Sequence, residues 1–99
     1  MNDQTGAEYR FEMGITRVEF LRLLPFATGR RELHSERELI EGNTDGVEWS
    51  LRVAERQQRR IAALTLPILD VRLKCMAADD ARISGFVERF LLAYQRAGG

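Results

Sequence analysis

The residues with chemistry to offer another molecule are few and scattered. His34 is the only histidine and Cys75 the only cysteine. An imidazole serves as a general acid or base when a positioned partner moves its pKa. A thiol attacks when a neighbouring base takes its proton. His34 lies in the charged run 30–38, with Ser35 and several carboxylates near it in sequence but no partner at a diagnostic spacing, so it reads as a surface histidine. Cys75 falls on the apolar parity of Leu69, Val71 and Leu73 and reads as a small core hydrophobe. One thiol cannot build a cysteine metal cluster within the chain, nor an intramolecular disulfide. With no phosphate loop and no nucleophile motif either, no catalytic, metal-binding or cofactor-binding residue is assigned, and the sequence points away from an enzyme.

Two other features bear on function. Arg52, Arg56, Arg59 and Arg60 crowd one stretch, with Gln57 and Gln58 between them. Such a cluster grips phosphates, and the glutamines add groups able to read base edges. Against nucleic acid stand Glu55, a net charge of zero from 15 basic and 15 acidic residues, and a lack of exposed aromatics for stacking. The preferred reading is an ordinary solvated, charged loop. Lys74 is the only lysine, so nearly all the positive charge is arginine. High-GC coding DNA imposes that bias, and selection for bidentate anion recognition is the sharper, less favoured explanation. The second feature is Gly98-Gly99, which resembles the tail of ubiquitin-like sulfur carriers, where a terminal glycine carboxylate is adenylated and threaded into a partner enzyme. Here the pair follows directly on a helix, and a helix stop with a frayed end is the simpler account.

The elements that must position these residues are legible from periodicity. Tyr9, Phe11 and Met13 alternate with charged residues over 7–13, the pattern of a strand with one face buried. Thr16 and Glu19 form a capping-box pair flanked by the staple Ile15 and Phe20, so a helix starts at Thr16. Pro25 either stops it or kinks it on the way to Thr28, and Gly29 ends it. An edge strand is expected over about 36–41, where its many charges suit an exposed edge, and 42–46 is dense in turn-formers. Val47, Trp49, Leu51 and Val53 mark a central strand, and 55–60 reads as a second hairpin tip. Residues 61–75 read as one long strand bent by a bulge near Pro67, which would carry Leu64, Leu66 and Ile68 onto the parity of Leu69 and Val71. A last helix, capped by Asp79 or Asp80, carries the stripe Ile83, Phe86, Val87, Phe90, Leu91 and Tyr94. Gly85 inside it suggests close approach of helix and sheet.

The expected fold is α+β: an antiparallel four-stranded sheet in the order β-α-β-β-β-α, with two helices packed on one face. Residues 1–99 make one domain, with 1–6 and 98–99 frayed. This order resembles that of TATA-binding-protein-like and ferredoxin-like domains, a likeness of architecture that carries no function. No run approaches the roughly 20 apolar residues that span a bilayer, and the polar start lacks a secretory signal's apolar region, so a cytoplasmic protein without membrane contact is expected. The functional expectation is a non-catalytic binding or accessory module, without cofactor, that meets a protein partner or a second copy of itself. Its working surface is the open sheet face (Glu8, Arg10, Glu12, Glu48, Ser50, Arg52, Asp70 and Arg72) or the edge strand. The alternatives are nucleic-acid binding through Arg52, Arg56, Arg59 and Arg60, and a carrier role for Gly98 and Gly99.

Overall fold

A computed structural model describes residues 4–29, 34–36, 39–61 and 64–96, of which 34–36, 57–61 and 96 are described as backbone alone. The alternation around Tyr9 forms strand β1 (Thr5–Met13), whose odd-numbered residues are half-buried and whose even-numbered ones are exposed. Helix α1 (Arg17–Thr28) begins where the capping pair places it: the Glu19 amide donates to Thr16 Oγ1 at 3.1 Å. The other half of the box is not made, because both Glu19 carboxylate oxygens take the fork of Arg22. The helix runs through Pro25 and ends at Gly29, whose φ of 73° lets its amide reach the Pro25 carbonyl.

The expected edge strand over 36–41 is two strands. A three-residue β2 (His34–Glu36) pairs antiparallel with β3 (Leu39–Thr44), the two joined at 37–38, outside the described residues. The turn expected over 42–46 shrinks to Asp45-Gly46, with φ values of 51° and 82°, the left-handed pair that a two-residue hairpin needs. Strand β4 (Val47–Ile61) and strand β5 (Leu64–Ala77) are far longer than the rest of the sheet. Residues 55–60 are therefore strand rather than hairpin tip. The pairing of β4 with β5 is described as far as Ile61 and Leu64, and 62–63 lie outside the described residues. The sheet runs β1-β5-β4-β3-β2, antiparallel throughout, so the fold is the expected α+β architecture with short β2 added at one edge.

The bulge occurs at the level of Pro67 but in the partner strand. Arg56 stands opposite Ile68 and Arg59 opposite Leu66, so Gln57 and Gln58 together face Pro67. Proline has no amide for the ladder, and an extra residue across from it accommodates the missing bond. Because β5 itself gains no residue, Leu64 and Leu66 keep the parity of Asp70 and Arg72; they are 65% and 42% exposed, not turned toward the core. Past Met13, which pairs with Leu69, and Leu39, which pairs with Arg52, no other strand among the described residues flanks the hairpin, and β4 and β5 continue as a two-stranded ribbon.

Helix α2 (Asp80–Arg96) is capped by Asp79, whose carboxylate accepts from the Arg82 amide at 2.9 Å. Its stripe is buried at Ile83, Phe86, Val87, Phe90 and Tyr94. Trp49 stacks on Phe86 at 6.1 Å and Phe86 on Phe90 at 6.3 Å, so sheet and helix share one aromatic core. Tyr94 stacks on Phe20 at 4.8 Å and donates its hydroxyl to the Phe20 carbonyl at 3.0 Å, fastening α2 to α1. Gly85 corrects the expectation placed on it: it is exposed, and an added Cβ would meet no atom within 4 Å. The close approach is instead at Gly42, where a Cβ would stand 2.4 Å from the Trp49 ring. That ring is locked by Trp49 Nε1 donating to Thr44 Oγ1 at 3.1 Å, while the Thr44 hydroxyl donates to the Thr28 carbonyl at 2.8 Å.

Candidate functional site

The helices cover one face of the sheet and leave the other open, and on that face the strand register sorts the charges into rows. Arg10 pairs with Arg72, and Arg72 with Arg52, which puts three arginine positions side by side across β1, β5 and β4. The neighbouring row is Glu12, Asp70 and Ala54. The row on the other side is Glu8, Lys74, Ser50 and Glu41. A positive stripe thus crosses the strands.

The acidic row beside it neutralises one end. Arg10 clasps Asp70 with Nε at 3.3 Å and Nη2 at 3.1 Å, and Arg56 reaches Glu12 at 2.8 Å. The Arg10 hydrogen bonds hold the Asp70 carboxyl below its ordinary value, helped by the charges of Arg56 and Arg72. Arg52 and Arg72 form no ion pair among the described residues. Both are exposed, and together with Val53, Ala54 and Asp70 they line a shallow depression of about 180 Å³. That is smaller than the roughly 300 Å³ at which drug-sized ligand sites begin, and suits a carboxylate or phosphate group. Like charges directly opposite on neighbouring strands cost about 0.2–1 kcal/mol. An arriving anion would remove that cost.

Of the arginines singled out from sequence, Arg52 and Arg56 stand on this face, while Arg59 and Arg60 lie on the ribbon opposite Leu66 and Thr65. The structure separates them into a row member, a frame and two ribbon positions. Arg10 and Arg72 complete the row. Strand parity alone places them on the open face, but their alignment depends on the register between β1 and β5, which are distant in sequence.

Of the remaining candidates only Cys75 is described with its side chain. Cys75 is buried, and burial pushes its thiol up to about 11, which keeps it protonated and inert. His34 lies on β2 opposite Glu41, described as backbone alone. Gly98 and Gly99 lie outside the described residues. Among the described residues no three His, Cys, Asp or Glu side chains gather as a metal site, and no helix is long and apolar enough to cross a membrane. Comparison with protein-family models, curated proteins and solved structures finds no match to this chain.

Proposed function

We propose that the chain is a non-catalytic, cytoplasmic interaction module that receives an acidic protein segment on the open face of its sheet. The observation that carries this reading is the arginine row, two members of which form no ion pair among the described residues. Arg52 and Arg72 make the contacts. Arg10 and Arg56 hold Asp70 and Glu12 away from the incoming carboxylates. A flat surface with a small depression suits a peptide side chain better than an enclosed metabolite. The cytoplasmic placement goes with a lone, buried thiol and no disulfide.

The test is titration with an oligoglutamate peptide at low salt. Binding is expected to weaken as salt rises, and Arg72→Gln or Arg52→Gln is expected to lower affinity about tenfold, in keeping with the loss of one charge-assisted contact. The same substitutions should leave stability unchanged or raise it by a few tenths of a kcal/mol, since each removes a like-charge neighbour. Wild-type affinity in both variants would refute the reading.

One observation favours a second reading, nucleic-acid binding. Arg56, Arg59 and Arg60 lie on a ribbon that projects past the rest of the sheet, and two-stranded ribbons enter DNA grooves. A duplex whose binding constant falls steeply with salt, and is lost in Arg59→Gln with Arg60→Gln but kept in Arg72→Gln, would favour that reading. The carrier role for Gly98 and Gly99 is tested by deleting them: a carrier loses all activation by its partner enzyme.

A further inference from the structure

The sheet has two unlike edges. At one, β2 is three residues long and sits amid charges. At the other, β1 pairs with β5 over its whole length of nine residues, and among the described residues no strand pairs with its outer backbone groups. Natural sheets blunt such edges with charge, proline, a bulge or a covering element. β1 carries the charges of Glu8, Arg10 and Glu12 but no proline, its register with β5 is unbroken, and among the described residues no strand lies outside it.

Its side chains are also incompletely covered. On the helix side, Leu73 and Val71 of β5 are 0% exposed, whereas their β1 partners Tyr9 and Phe11 are only partly buried. Tyr9 and Phe11 lie parallel, with ring centroids 6.2 Å apart, and Phe11 leans on Phe90 at 6.2 Å. The apolar layer therefore continues to the edge and stops there.

We infer that β1 is a homodimer interface: two copies pair antiparallel about a two-fold axis at Tyr9, joining their sheets into one. The charge pattern selects this occupant and this register. Tyr9 is the midpoint of β1, so pairing about it engages all nine residues of each strand. It sets Glu8 opposite Arg10 of the second copy, twice by symmetry, on the open face. On the helix side it sets Tyr9 beside Tyr9 of the other copy, and Phe11 beside Ala7. Shifting the axis to Arg10 sets arginine against arginine and Glu8 against Glu12, which is repulsive. An axis at Phe11 keeps one type of favourable charge pair but engages only part of the strand. A shift by one residue in a single copy turns apolar side chains to the open face. The inference rests on β1 and shares only Arg10 with the surface proposed for the acidic partner; the cysteine variants test it without touching that residue.

Cysteine cross-linking reads the register directly. Directly opposed residues on antiparallel strands have Cα atoms about 4.5–5.5 Å apart, inside the disulfide range of about 4.4–6.8 Å. Tyr9→Cys should therefore form a covalent dimer on mild oxidation. Phe11→Cys should not, since its copies would lie about 13 Å apart along the strands. Cys75 is 1% exposed and stays silent. By light scattering, Glu8→Arg should weaken the wild-type dimer about tenfold while leaving the Arg10–Asp70 bridge in place, and adding Arg10→Glu should restore it. Circular dichroism confirms that each variant folds. A wild-type chain that scatters as a monomer at about 1 mM, equal cross-linking of the two cysteine variants, or no rescue in the double charge reversal would each overturn the inference.

Discussion

Replacing glycine by alanine at two positions should change stability in opposite directions, and the contrast tests the packing described above. At Gly42 the new Cβ would stand 2.4, 2.8 and 3.0 Å from three ring atoms of Trp49, well inside contact distance. The ring cannot retreat freely, being 2% exposed, stacked on Phe86 and tied through Nε1 to Thr44. Overpacking of this kind costs about 1–3 kcal/mol, and stretching the indole hydrogen bond adds about 1 kcal/mol. Alanine's lower backbone entropy returns about 0.5–1 kcal/mol. The net expectation is destabilisation by about 2 kcal/mol, which for a domain of this size lowers the melting temperature by about 8–16 °C. At Gly85, exposed in α2 with nothing within 4 Å, only the helix propensity changes, and alanine should stabilise by about 1 kcal/mol. Trp49 is the only tryptophan, so urea unfolding followed by its fluorescence reports both variants, and Gly42→Ala should also shift its folded-state emission. A Gly42→Ala protein within about 0.5 kcal/mol of wild type would refute the locked-indole account.

Three further outcomes follow from buried groups and charge pairs. Removing the Thr44 hydroxyl with Thr44→Val leaves both Trp49 Nε1 and the Thr28 carbonyl without their partner; unfolding should show a loss of about 2–3 kcal/mol, and a neutral result would mean the network contributes nothing. The Cys75 thiol, raised to about 11, keeps its proton in the folded chain after the unfolded chain has released it; stability should fall as pH rises from about 9 to 11, by roughly 2–3 kcal/mol, and Cys75→Ala should remove that component and leave the part due to Tyr94, which burial also raises. The Asp70 carboxyl should titrate below the usual range by NMR and move back up in Arg10→Gln; because its folded pKa is the lower one, its contribution is present above the unfolded value near 4 and fades as pH falls below it.

What could be read from the sequence, and what could not, divides along a physical line. The amphipathic stripe from Ile83 to Tyr94, the Thr16 cap and the alternation around Tyr9 and Trp49 are local patterns imposed by one buried face, and each has its expected counterpart. Residues 55–60 carry no such pattern in their sequence; without alternation, charge reads as loop. Pro67 announces a missing ladder bond but not which strand will absorb it, since an extra residue on either side accommodates the lost donor. The arginine row is a further step removed. Arg10 and Arg72 lie 62 positions apart by their numbers, and their alignment follows from a long-range pairing that no local signal specifies. Gly85 misled because glycine in a helix has two explanations, close packing or mere tolerance, and only the three-dimensional neighbourhood distinguishes them.

The ribbon formed by the ends of β4 and β5 gives the molecule principal extents of 55 × 23 × 22 Å and a radius of gyration of 14.3 Å, where a chain of this length folded into a ball would have about 13 Å. An elongated particle drags more water and tumbles faster about its long axis than across it. A single chain will therefore elute from a sizing column earlier than its 11.4 kDa warrants, imitating something heavier. Nitrogen relaxation rates of amides aligned with that axis will differ from those lying across it.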